Sequence, residues 1–219
     1  VGVGFEVARI TEADGEERDS FLIGVPGSLL YDRTDDLLNP TEGVRITASA
    51  APWAGLFDDE PTAFLETDIE ASTYISLDRD ARYIFAVRGR VAQIFADDAN
   101  NIPANRRVYS GGGGSVRAYS TQYVNDLDAD GDPVGALGVV EGSVELRIRY
   151  GNFGVVPFID AGMVTNKFGQ EFGQLRWGPG IGVRYFSPIG PIRLDVAVPI
   201  DKRDEDDAFQ FYLSIGQAF

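Results

Sequence analysis

From Val140 to Ile148 the even positions are Val140, Gly142, Val144, Leu146 and Ile148, opposite Glu141, Ser143, Glu145, Arg147 and Arg149 on the odd ones. A period of two puts successive side chains on opposite faces of a strand, so this stretch has one apolar face and one charged face. The pattern recurs at Phe153–Asp160, Trp177–Tyr185, Ile192–Ile200 and Phe209–Phe219, and upstream at Val44–Ser49, Ala63–Ile75 and Arg82–Val91. Less regular stretches at Gly2–Thr11 and Arg18–Tyr31 bring the expected strands to ten.

The charged face decides the class. It carries Glu66, Asp68 and Glu70 on one strand, Arg82, Arg88 and Arg90 on the next, then Glu145, Arg147 and Arg149. A face dense in both signs and interrupted by glycine suits a wet, charge-paired lumen. The other face is aliphatic, with Trp177, Tyr185, Tyr150, Phe211 and Phe219 near strand ends, as an interfacial girdle requires. Strands of ten or more residues match a tilted membrane crossing. The expected fold is therefore all-β, an antiparallel transmembrane barrel in a single domain over residues 1–219. The alternative is a soluble sandwich or barrel with a charged outer face. A mean hydropathy of -0.10 does not separate the two, because a membrane barrel averages its faces.

Composition removes several functions. There is no cysteine, hence no disulfide or thiolate metal site. There is no histidine either, which removes the commonest general base and most nucleophilic triads. A net charge of -15 argues against nucleic acid as a partner. No apolar run is long enough for a membrane helix.

Connections alternate in length. Short links follow Leu77, Tyr150 and Phe186; longer acidic ones run about Glu12–Glu17, Ala54–Pro61, Ala96–Gly135, Thr165–Gln174 and Asp201–Asp207. Outer-membrane barrels have short periplasmic turns and longer external loops, so the long links are expected outside. Asp32–Gly43 is the exception, long yet on the short-turn side. The longest link, about 96–135, contains Gly111-Gly112-Gly113-Gly114-Ser115-Val116-Arg117-Ala118-Tyr119-Ser120. Connections of this length are usually functional or disordered. Four glycines let the backbone turn sharply and deliver one arginine to a fixed place.

Ser115-Val116-Arg117-Ala118-Tyr119 resembles the Val-Arg-Gly-Tyr/Phe loop of the outer-membrane assembly and secretion superfamily of the BamA/TamA type. Phe158-Ile159-Asp160-Ala161-Gly162 resembles its Phe-x-Asp-x-Gly wall motif, and Glu145 stands where the intervening strand carries a glutamate. Asp32-Arg33 followed by Asn39-Pro40-Thr41-Glu42-Gly43 is similar to its Asp-Arg…Pro-x-x-Gly segment. The stretch from Gly178 to Asp195 is similar to TamA-like members in particular, and Phe209–Phe219 resembles a barrel C-terminal recognition strand. One residue departs: the glycine after the arginine is Ala118. The family barrel has sixteen strands preceded by POTRA domains. The resemblance thus implies that this chain, opening at Val1, is a truncated piece holding the last ten strands and no POTRA domain.

Alternation points Glu145 and Asp160 into the lumen, where an unpaired carboxylate is costly. Arg117 is expected to fold back and engage one or both through a bidentate guanidinium. The resemblance implies the same lock, with Val116, Tyr119, Phe158 and Gly162 around it. It also implies a seam at the last strand, through Phe209, Phe211, Tyr212, Leu213, Gly216 and Phe219. Asp126, Asp128 and Asp130 resemble the start of a calcium loop, but Leu137 stands where the bidentate glutamate belongs. A solvated acidic turn is the plainer reading, and no cofactor is expected.

The implied function is insertion or translocation at the outer membrane of a Gram-negative bacterium, without catalysis. Implied partners are lipid and lipopolysaccharide, unfolded outer-membrane or autotransporter clients, and an inner-membrane-anchored protein as in TamA-like systems. An edge-paired homodimer is a further expectation. A stand-alone ten-stranded outer-membrane enzyme and a passive diffusion pore are the alternatives.

Overall fold

The computed structural model describes residues 1–12, 15–96, 98–166, 174–188 and 190–219. The link at Thr165–Gln174 and the turn after Phe186 thus lie partly outside the described residues, at 167–173 and 189. One antiparallel sheet holds β1 (Gly4–Thr11), β2 (Glu17–Gly24), β3 (Gly27–Asp32), β4 (Gly43–Phe57), β5 (Glu60–Ser76), β6 (Tyr83–Phe95), β7 (Gly138–Tyr150), β8 (Phe153–Thr165), β9 (Arg176–Ser187), β10 (Gly190–Ala197) and β11 (Gln210–Ile215). Strands pair in chain order from β1 to β11, with β2 and β3 sharing the same edge of β4.

Eleven strands replace the expected ten because Arg18–Tyr31 is interrupted. Pro26 has no N–H to give a ladder, and assignment breaks there. The register does not break. Gly24 faces Trp53, Val25 donates to Pro52 O at 3.1 Å, and Gly27 faces Ala50, one continuous run along β4.

Alternation sets the two faces. Along β8, Phe153, Val155 and Ile159 are exposed, whereas Val156, Phe158 and Asp160 are buried. Trp177, Tyr185, Tyr150 and Phe211 project from the apolar face, where a lipid girdle requires them. The expected long link at Ala54–Pro61 is instead a two-residue turn, because β4 runs to Phe57 and β5 opens at Glu60. Asp58 and Asp59 have φ of 54° and 62°, the doubly left-handed geometry of a type I′ hairpin.

The C-terminal strand is shorter than its alternation suggests. Gly216, at φ 97°, turns the chain out of β11. Phe219 therefore leaves the outer girdle and stacks inside the sheet against Tyr74, with ring centroids 6.2 Å apart. The Asp32–Gly43 link is a folded turn. Asp35 accepts the Thr41 and Glu42 N–H groups at 2.8 and 3.1 Å, and Leu38 O accepts Gln217 N at 3.1 Å. Among the described residues β1 is bonded only to β2 and β11 only to β10, so the sheet does not close on itself by strand pairing. It wraps instead around the 98–137 part of the loop, whose residues touch both β1 and β11.

Candidate functional site

The glycine-rich stretch builds its own shape before it meets the wall. Gly111 and Gly112 take φ of 113° and 102°, which a side chain would strain, and a Cβ on Gly111 would sit 2.6 Å from Ser120 O. Gly112 N donates to Tyr119 O at 3.1 Å and Ser115 N to Gly112 O at 3.0 Å, closing a compact tip. Asn125 pins its neck, accepting Ser110 N at 2.8 Å and donating to Val108 O at 3.0 Å. The tip presses Val116, Arg117, Ala118 and Tyr119 into the wall, each at most 1% exposed.

Arg117 uses all of its donors. Nε and Nη2 grip Asp160 bidentately at 2.8 Å each, Nη1 reaches Glu145 at 2.6 Å and Asp195 at 3.0 Å, and Nη2 also meets Ser143 Oγ at 3.2 Å. The Arg117 backbone N–H adds a bond to Asp160 at 3.0 Å. The guanidinium carbon lies 3.4 Å from the centre of the Phe158 ring, a cation–π contact. Burial works to lower the pKa of this arginine, but the Asp160 bond and the fields of Asp160, Glu145 and Asp195 outweigh it and raise the pKa. The side chain is permanently charged.

Further arginines balance the carboxylates. Arg184 pairs with Asp195, and Arg147 donates to Glu145 at 2.8 Å. Ser115 on the tip donates to Glu141, which also receives Arg88. Such a network stabilises only when complete; removing one partner strands the others at a cost of about 3–5 kcal/mol.

Glycines in the wall make room. A Cβ on Gly162 would lie 2.6 Å from Val116, and one on Gly178 would lie 2.3 Å from the Ala118 Cβ. Ala118, where the resemblance has glycine, is not among the residues with positive φ. Its methyl occupies the space that Gly178 leaves open.

The remaining predicted residues divide. Phe211 and Leu213 project outward from β11, Phe209 just precedes it, and Gly216 and Phe219 lie beyond it. Tyr212 points inward, and its hydroxyl donates to Tyr119 O at 2.9 Å, so the tip also holds the last strand. The acidic turn uses its own carboxylate: Asp128 accepts the N–H of Asp130 and of Asp132 at 2.9 Å each. Among the described residues no cluster of three or more acidic side chains is arranged for a metal ion. Sequence reasoning missed Ser143, Asp195 and Arg184. All three lie on the polar side of the alternation, the one signal that could have found them.

The chain is similar to known proteins over most of its length. The family described as Omp85 superfamily domain matches residues 5–219. The outer membrane protein assembly factor BamA of Nitratidesulfovibrio vulgaris (strain Hildenborough) is 27% identical over 201 residues, covering 86% of this chain and 24% of its own length. The crystal structure of BamA from Haemophilus ducreyi lacking POTRA domains 1–3 superposes with a TM-score of 0.71 at 23% identity, over 90% of this chain and 42% of that one. The chain thus spans about a quarter of that relative's length. Both of these relatives are BamA proteins, and neither supports the narrower TamA likeness.

Proposed function

The chain belongs to the Omp85 superfamily, and from that premise we propose that it forms part of the wall, and the plug, of an outer-membrane protein-assembly pore. It is an outer-membrane protein, as its Gram-negative relatives are. The loop tip stops the lumen, and the last strand presents an edge to client strands. The single observation that carries the reading is Arg117, with its guanidinium saturated by Asp160, Glu145, Asp195 and Ser143 and its tip bonded onward to Tyr212 of β11.

The physics of the edge supports it. In lipid an unpaired backbone N–H or C=O costs several kcal/mol, so β11 needs a partner. A client strand emerging in the membrane has the same need, and pairing satisfies both. The tip holds β11 from the lumen side through the Tyr212 bond, which links plug to edge while the tip is engaged. The family is one of non-enzymatic insertases, so no reaction is assigned to the chain.

The test is client assembly by the full-length protein in proteoliposomes, followed by the heat-modifiable mobility of the folded client. Arg117→Ala is expected to lower assembly about tenfold or more, in line with the loss of a buried, fully bonded charge. Undiminished assembly would overturn the reading. Deleting residues 111–120 is expected to raise ion conductance in a planar bilayer, because the tip occludes the lumen; a passive pore predicts little change.

A further inference from the structure

The loop has a second anchor at its other end. After two single-turn 3-10 helices, Ala99–Asn101 and Ala104–Arg106, comes Arg107, 7% exposed. Its Nη2 donates to Glu12 Oε2 at 2.6 Å, Nε to Ile102 O at 3.0 Å and Nη1 to Val134 O at 3.0 Å. Glu12, 6% exposed, stands just past the end of β1, and its other oxygen accepts the Ala104 N–H at 2.9 Å. One arginine therefore ties the outgoing limb of the loop, its returning limb and the β1–β2 connection together. The neighbouring Arg106 pairs with Glu6 of β1 and stacks over Trp53 of β4 at 3.9 Å.

Base and tip are separable parts. Val108 and Ala136 exchange backbone bonds of 2.9 and 3.0 Å, closing a neck between them. Gly111 and Gly112, both at positive φ, lie just beyond that neck. The base is fastened to the first strands and the tip to the last ones.

We infer that Arg107 and Glu12 are positioning residues forming a second lock, independent of Arg117, that keeps the loop base on the β1–β2 hairpin whether or not the tip is engaged. Three nitrogens pointing at three different chain segments need the planar guanidinium; a lysine ammonium could not span them. Buried Glu12 is bonded through both oxygens, one to the Arg107 guanidinium and one to the Ala104 N–H. A tip that leaves the wall then stays tethered beside it, and its return is intramolecular, at high effective concentration. The inference deepens the plug reading, and rests on it only for its effect on client assembly.

No cysteine occurs among these 219 residues, so spin labels can be placed here site-specifically once any cysteine elsewhere in the full-length protein is replaced. In the full-length protein in vesicles, Thr11→Cys with Asn105→Cys reports the base, and Gly114→Cys with Glu205→Cys reports the tip. Glu12→Gln preserves shape and the acceptor for Ala104. It and Arg107→Met are each expected to broaden the base distance distribution about twofold while leaving the tip distribution unchanged. Arg117→Ala is expected to do the reverse. Heat-modifiable mobility confirms that each variant is folded. A base distribution unchanged by both Glu12→Gln and Arg107→Met, or one broadened by Arg117→Ala, overturns the inference. If the distances behave as expected while client assembly is unaffected in every variant, the second lock stands and the assembly reading falls.

Discussion

The two sides of the sheet carry similar charge and treat it differently. On β7, β8 and β10 the inward carboxylates Glu141, Glu145, Asp160 and Asp195 are at most 4% exposed, each met by an arginine. On β5 the inward side chains of Asp68 and Glu70 remain 36% and 40% exposed, although Arg90 and Arg88 stand beside them. Thr47, Ser49 and Leu30 face inward on β4 and β3 and are also exposed. The difference follows the loop tip. Where it lies against the wall, water is displaced and each ion pair becomes a structural commitment. Where it does not, the same residue types behave as a solvated surface.

The contrast can be broken most directly at Arg117. Arg117→Met leaves Asp160, Glu145 and Asp195 short of a cation, and the expected loss is about 3–5 kcal/mol, read as a fall in the urea midpoint of the barrel in detergent. A loss below about 1 kcal/mol, the value for exposed pairs, would erase the distinction between the two sides.

A smaller effect is expected where the tip meets the wall glycines. Gly178→Ala would put a methyl 2.3 Å from the Ala118 Cβ, a clash expected to cost about 1–3 kcal/mol. The double variant Gly178→Ala with Ala118→Gly should recover most of it. Without recovery, the fit of these two positions is not what admits the tip.

On the open side, Asp68→Asn removes a half-solvated partner of Arg90, and the expected change in stability is below about 1 kcal/mol. A larger loss would mean that this wall too is sealed from water.

The mildest test is acid titration of the β5–β6 turn. The Tyr83 N–H, assisted by the Arg82 N–H and side chain, holds the Asp78 carboxyl below its ordinary pKa against a smaller opposing effect of desolvation. A depressed folded pKa stabilises above the unfolded value of about 4, and the contribution is lost as pH falls through the folded value. Asp78→Asn should therefore flatten the acid limb of a stability–pH curve while leaving the neutral region nearly parallel. An unchanged acid limb would remove Asp78 from the account.

Much of this was legible in the residues. Period two alone put Glu145 and Asp160 inside, and a glycine run around one arginine in the longest link pointed to what meets them. The same alternation put Ser143, Arg184 and Asp195 on the polar face. It put Arg88 and Arg90 there as well, and no linear pattern says which of them a folded-back tip will reach. Other features escaped because a local backbone choice overrode the pattern. Pro26 removes a donor without shifting the register, Asp58 and Asp59 adopt left-handed φ where an acidic run read as loop, and Gly216 turns Phe219 away from the face its parity assigns.

If the last strand holds client strands as proposed, the turn at Gly216 also limits how firmly they are held. β11 runs only six residues, about 20 Å at the usual rise, against an apolar band of about 25 Å in such barrels. A strand laid along it gains a handful of backbone bonds, each worth on the order of 1 kcal/mol net in water and more in lipid. Under the proposed function, turnover is written into the length of the handhold, and lengthening β11 by replacing Gly216 would trade release for retention.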